Sequence, residues 1–292
     1  MIWLFPFFLL IGCTFAGEPS FIIQPNPAKL LSPALTEVSG LVTSRVDDQF
    51  FWLINDSGCA PDLHLATKEG TPRGALHVNA TNQDWEDLAA FSLNGKPYLL
   101  IADTGDNEAV RSQLTLYIVR EPKLPSKGEF LSGNLPIAWR IDFTFEDGAR
   151  DCEAVAVDAA AEKIYLISKR TRPPVLYELP LRPSKHPIAR RITSVSTKTP
   201  GIPLPYSLSD QPTGMDISKD NQSAAVVTYR GVLLFRKSPD ESWAKAFTKK
   251  PEFLGAHALA QAESVTFSKN SKNIFTVSEN VGSPIIHYAA SK

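Results

Sequence analysis

Asp84-Trp85-Glu86-Asp87-Leu88-Ala89, followed after a turn by Tyr98-Leu99-Leu100-Ile101, is one copy of a unit that recurs along this chain. Five first strands align: Ser39-Gly40-Leu41-Val42, Glu86-Asp87-Leu88-Ala89, Glu153-Ala154-Val155-Ala156, Thr213-Gly214-Met215-Asp216 and Glu263-Ser264-Val265-Thr266. Each precedes a turn and a second apolar run, such as Phe51-Trp52-Leu53-Ile54 or Ile164-Tyr165-Leu166-Ile167. From the first aligned column to the residue closing the second strand takes 17, 17, 16, 16 and 16 positions, ending at Asp56, Asp103, Lys169, Tyr229 and Glu279. Third strands follow, for example Leu114-Thr115-Leu116-Tyr117-Ile118-Val119. Short β-branched runs between Asn, Asp, Gly, Pro and Ser clusters define an all-β chain. Units that start 47, 67, 60 and 50 residues apart, with three or four strands each, read as the blades of a β-propeller.

Five blades are expected. The last unit lacks a fourth strand, while Phe21-Ile22-Ile23 has no blade of its own. Pairing the two closes the ring and removes an exposed edge. The insertion Pro122 to Leu135, rich in Pro, Gly, Ser and Lys, leaves six blades as the alternative if it holds further strands.

In an antiparallel blade the first strand begins at the end of the disc where the second finishes, so both sets of residues gather at one face around the axis. Two positions before the first column stand Glu37, Asp84, Asp151, Gln211 and Gln261; the column itself is Ser39, Glu86, Glu153, Thr213 and Glu263. Asp56, Asp103, Lys169 and Glu279 join from the second strands, with Arg170 and Arg230 one step on. Crowded carboxylates repel unless protonated, paired or bound to a cation. Their hard oxygens suit calcium or magnesium rather than zinc. Glu86, Glu153, Glu263 and Asp103 are the candidate metal ligands. The other reading of the same columns is blade-to-blade hydrogen bonding. Asp103-Thr104-Gly105-Asp106-Asn107 with Arg111 reads either as an oxygen-rich ligand loop or as a plain turn, since the twelve-residue calcium-loop pattern is incomplete.

No G-x-S-x-G, H-E-x-x-H or Walker pattern occurs, and the five histidines lie off the polar columns. His257, a few residues before Gln261, is within reach of the funnel rim but reads first as a surface-loop residue. Lys plus Arg number 30 against 31 Asp plus Glu, which gives no electrostatic footprint for nucleic acid. The apolar run Met1 to Ala16 is too short for a bilayer core of ~30 Å and reads as a signal segment. Leu10-Ile11-Gly12-Cys13 within it looks like a bacterial lipobox, with Cys13 as the acylated residue, although no Lys or Arg precedes the run; ordinary cleavage after Ala16 and an uncleaved anchor are the competing readings. Thr14, not aspartate, follows the cysteine, which favours the outer membrane over the inner. Residues 1–16 are thus the leader and 17–292 one propeller domain, exported to the outer membrane, the periplasm or the exterior. Cys59 and Cys152 form either one disulfide or two free thiols.

Asp84-Trp85-Glu86-Asp87-Leu88-Ala89, Gly105-Asp106-Asn107 with Arg111, Glu153-Ala154, Lys169-Arg170, Thr213-Gly214-Met215-Asp216-Ile217-Ser218 and Glu263-Ser264 resemble a family of secreted bacterial propeller proteins. More remotely they are similar to calcium-dependent propeller lactonases and phytase-like propellers. The resemblance runs from about Glu37 to Ser278 and implies the fold more firmly than any chemistry, because Thr213 and Gln261 stand where an all-acidic ring needs carboxylates. Two functions follow as expectations. One is a monomeric, lipid-anchored envelope propeller that binds a glycan, a small anionic ligand or an envelope protein, with calcium as a structural ion. The alternative is a calcium-dependent hydrolase of a phosphoester or lactone, with Asp151 or Asp84 as base and Arg170 or Arg111 steadying the anion.

Overall fold

The computed structural model describes residues 20–199 and 210–291; the leader and Cys13 lie outside them. Five inner strands, Val38–Thr43, Trp85–Leu93, Cys152–Asp158, Pro212–Ile217 and Ala262–Phe267, stand side by side around an axis. Each packs on the next, and the fifth packs on the first. The chain is a five-bladed β-propeller.

Every blade grows outward from its inner strand by antiparallel pairing. Second strands are Phe50–Asn55, Lys96–Asp103, Lys163–Ser168, Ser223–Thr228 and Asn273–Ser278. Third strands are Asp62–Thr67, Leu114–Arg120, Val175–Pro180, Val232–Arg236 and Pro284–Ala290. Outer strands are Pro72–Val78, Ile137–Phe145, Ile188–Ser194 and the short Glu252–Phe253. Alternate side chains of a strand enter the gaps on its two sides. In the second blade Leu99 and Ile101 face the first blade while Leu100 and Ala102 face the third. Both faces are therefore dry, and the sequence shows continuous apolar runs instead of alternation. The core is accordingly divided into five clusters, one in each gap between neighbouring blades.

The fifth blade takes its outer strand from the start of the chain, as the sequence implies. Phe21–Ile23 pairs antiparallel with Pro284–Ala290, Phe21 opposite Ala290 and Ile23 opposite Tyr288. Phe21 is 5% exposed and packs between the fourth and fifth blades. Phe21→Ala is expected to lower the unfolding free energy by about 3 kcal/mol, measured by urea denaturation. A loss below ~1 kcal/mol would show that the closing strand contributes little.

The insertion does not supply a sixth blade. Its last residues, Asn134–Leu135, pair in parallel with the outer strand of the first blade and cover that edge. Gly74 admits this close passage: its φ is +105°, and a Cβ there would lie 2.2 Å from the Leu131 carbonyl oxygen. The outer strands of the second and third blades also meet, Thr144 opposite Ile188 and Phe145 opposite Ala189, joining the two blades in one eight-stranded sheet. Cys59 and Cys152 are both free thiols, and Cys152 is buried. Among the described residues no helix is long and apolar enough to cross a membrane.

Candidate functional site

All five inner strands carry a β-bulge, and it falls on the same column each time. Pairing skips Ser39, Glu86, Glu153, Thr213 and Glu263. A bulge frees a residue from the ladder and re-aims its side chain. Loop carbonyls just before the column hold the ends of the second strands: Asp56 N–H donates to Glu37 O (2.8 Å), Lys169 to Asp151 O (2.9 Å) and Glu279 to Gln261 O (3.1 Å). The polar columns therefore meet at one mouth of the ring.

What each residue does there depends on its length. The short hydroxyls serve the scaffold: Ser39 Oγ donates to Trp85 O (2.7 Å) and Thr213 Oγ1 to Ala262 O (2.6 Å), each on the next blade. The three glutamates reach into the funnel. Glu153 forms a buried ion pair with Lys169. The Lys169 ammonium also donates to Tyr229 Oη (3.0 Å), which in turn donates to Glu263 Oε1 (2.9 Å). Burial opposes the charge on Lys169, but Glu153 and Glu263 beside it hold its ammonium above the ordinary lysine range. Asp151 is satisfied from two sides, by Asp106 N–H (3.0 Å) and by Arg170 Nε (2.6 Å).

Glu86 differs from both. It is 4% exposed, and its carboxylate has no hydrogen-bond partner among the described residues. It is shared by two groups whose carboxylate oxygens lie within 4.8 Å of one another: Asp56, Asp84 and Glu86, and Glu86, Asp151 and Glu153. Burial and then the charges on Glu153 and Asp56 push Glu86 well above the usual carboxylate range. Burial, with Asp84 and Glu263 nearby, pushes Asp56 up to about 7 against a hydrogen bond from Ser57 N–H. Burial and Glu263 push Glu279 up to about 8. Gly105 walls this floor: a Cβ there would lie 2.3 Å from both Asp84 Oδ2 and Glu86 Oε1.

Of the residues expected as ligands, the structure brings Glu86, Glu153 and Glu263 to the funnel and leaves Asp103 out. Asp103 pairs opposite Trp85 as Asn55 pairs opposite Val38. Thr104, not Asp103, is therefore the counterpart of Asp56, and a one-residue shift along a strand turns the side chain to the other face. The Asp103 carboxylate accepts from Gln83 N–H (3.3 Å), Asp84 N–H (3.2 Å) and Arg111 Nη2 (2.8 Å). Asn55 and Ser278 hold their own loops in the same way, accepting from Glu37 N–H (3.3 Å) and Gln261 N–H (3.1 Å).

Arg111, expected as an anion clamp, is committed inward to Asp103 and to Gly105 O (2.7 Å). The segment from Asp103 to Arg111 is the turn of the two readings: Asp106 accepts from Val110 N–H (2.8 Å) and Arg111 N–H (3.0 Å) within its own loop. Arg170 reaches Asp151 and Asn107. Asp84 is half-buried beside Asp56. His257 is buried, not on a surface loop, with Nε2 2.8 Å from Thr228 O.

No family model matches the chain, and no curated protein matches it in sequence. Among solved structures it is similar to luciferin-regenerating enzyme, with a TM-score of 0.45 and 10% identity over 91% of this chain and 96% of that one. It is also similar to a chain of the nidogen/laminin complex, with a TM-score of 0.47 and 12% identity over 85% of this chain and 74% of that one. Neither likeness bears on the chemistry of the funnel.

Proposed function

We propose that the funnel binds one hard divalent cation, calcium by size and ligand preference, and offers the cation's open positions to an oxygen donor on a ligand or partner. The observation that carries this reading is Glu86, a buried carboxylate with no hydrogen bond, set among other carboxylate oxygens no more than 4.8 Å apart. Two oxygens sharing one ion at about 2.4 Å each can be at most that far apart. Three carboxylates leave several of the six to eight calcium positions for water or for a sugar hydroxyl, carboxylate or phosphate from outside. The lipobox-like Leu10-Ile11-Gly12-Cys13 supports a tether that presents this mouth within the cell envelope. Binding is favoured over hydrolysis because one of the two candidate bases and one of the two candidate anion clamps are already engaged, Asp151 by Arg170 and Asp106, and Arg111 by Asp103 and Gly105.

Calorimetric titration of the protein lacking its leader with calcium chloride tests the reading. One ion per chain is expected. Gly105→Ala, whose methyl would press on Asp84 and Glu86, should weaken binding at least about tenfold, with the fold retained by circular dichroism. An unchanged affinity in this variant, or no heat in the parent protein, rejects a cation at Glu86. Turnover of a lactone or phosphoester panel by the calcium-loaded protein would replace binding with hydrolysis.

A further inference from the structure

We infer that Lys169 is a built-in counter-cation that fills one half of the funnel floor and confines the external cation to Asp56, Asp84 and Glu86. This rests on the cation reading above and says where the ion sits and from which side it is reached. The two carboxylate groups share Glu86, so a single ion must choose between them.

The group with Asp151 and Glu153 already has its positive charges. Asp151 bonds Arg170 and a backbone N–H, and Glu153 bonds Lys169. Lys169 and Glu153 are each only 5% exposed along the side chain. The ammonium is fixed a second time by Tyr229, which leans on Glu263 of the fifth blade. A divalent ion placed among Glu86, Asp151 and Glu153 would lie against this fixed charge, at a distance shorter than the screening length of salt.

The other group is open in both respects. No Lys or Arg among the described residues forms an ion pair with Asp56, Asp84 or Glu86; Asp56 accepts from the adjacent Ser57 N–H, and the Asp84 carboxylate accepts from no Lys, Arg or backbone N–H among them. Asp56 and Asp84 are half-buried where Asp151 and Glu153 are buried. An ion held there keeps solvent-facing positions over the first and second blades. The exposed Ser57 and Gly58 border that side, whereas Asn107 of the next loop reaches Arg170 of the third blade. Ligand approach is therefore off-axis, over these two blades.

Calcium calorimetry on three proteins decides the matter. Lys169→Met/Glu153→Gln replaces a buried ion pair with neutral groups, a change that folds readily tolerate. This double variant should bind one ion within about threefold of the parent affinity, because neither residue is a ligand. Lys169→Met alone removes the fixed positive charge beside the shared Glu86 and should bind one ion at least about tenfold more tightly than the parent. Loss of binding by more than about tenfold in the double variant would make Glu153 a ligand and overturn the inference. Unchanged or weaker binding in folded Lys169→Met would also overturn it. If that single variant does not fold, the double variant decides alone. No ion in the parent protein would instead remove the cation reading itself.

Discussion

Asp87→Ala is expected to cost about 3–5 kcal/mol of stability, the largest effect of any single change at the axis. Asp87 is fully buried in the inner strand of the second blade. One oxygen accepts from Leu88 N–H (2.8 Å), and the other from Val155 N–H (2.7 Å) and Met215 N–H (3.1 Å). One side chain thus ties the inner strands of three blades. The equivalent positions hold Gly40, Ala154, Gly214 and Ser264, small residues that allow the strands to approach. A Cβ on Gly40 would lie 2.8 Å from Leu88 Cβ. Removing the carboxylate strands the Val155 and Met215 N–H groups, both on fully buried residues, at about 1–3 kcal/mol for each orphaned group. Asp87→Asn keeps one acceptor oxygen and should lose roughly half as much. Urea denaturation measures both, and a loss under ~1 kcal/mol for alanine would show that the three blades hold together without this tie. The fourth and fifth blades have a second tie, in which Asp216 accepts from Phe267 N–H (2.8 Å) and Thr266 Oγ1 (3.1 Å).

Asp87 also shows where sequence reading stops. An acid inside an apolar inner strand is visible in Glu86-Asp87-Leu88-Ala89, but its partners lie 68 and 128 residues away, and no local pattern announces them. The blades were legible because the inner and second strands are dry on both faces and read as apolar runs. The closing strand was legible because a final blade one strand short needs an edge partner. The bulge was hidden, since pairing alone reveals a skipped residue. It matters because it aims Glu86 and Glu153 into the funnel. Asp103 was misplaced for a related reason. Counting positions across hairpins of unequal length aligned it with Asp56, whereas its register partner is Trp85. The carboxylate that takes its place beside Glu86 is Asp84, from the loop before the inner strand. The partition of charge by Lys169 needed the structure too, because it depends on Tyr229 and Glu263 from two further blades.

Stability without a cation is expected to fall as pH rises from about 4 to about 8, the opposite of the trend set by carboxylates that fold into salt bridges. Asp56 moves from an ordinary 3.8 to about 7 in the folded chain, and Glu279 from 4.5 to about 8, both chiefly through burial. Below the lower values, folded and unfolded chains are both protonated and these groups cost nothing. Between the lower and upper values the unfolded chain has released protons that the folded chain still holds, so each step up in pH favours unfolding. Above the upper values the folded funnel carries its full mutual repulsion. Thermal unfolding in EDTA at pH 5, 6, 7 and 8 should therefore show a falling Tm, about 2–4 °C for each kcal/mol lost in a chain of this class. Saturating calcium supplies the positive charge that the protons supplied, so the curve should flatten and lie highest above its EDTA counterpart at pH 8. Glu86→Gln separates this from a general surface effect. In EDTA at pH 8 it relieves the repulsion and raises Tm, and it also abolishes the response to calcium. Asp87→Ala, one residue along the same strand, lowers Tm at every pH. An EDTA curve that stays flat or rises between pH 5 and 8 would mean that the funnel carboxylates are already compensated within the fold, and a cation would then have no charge to neutralise.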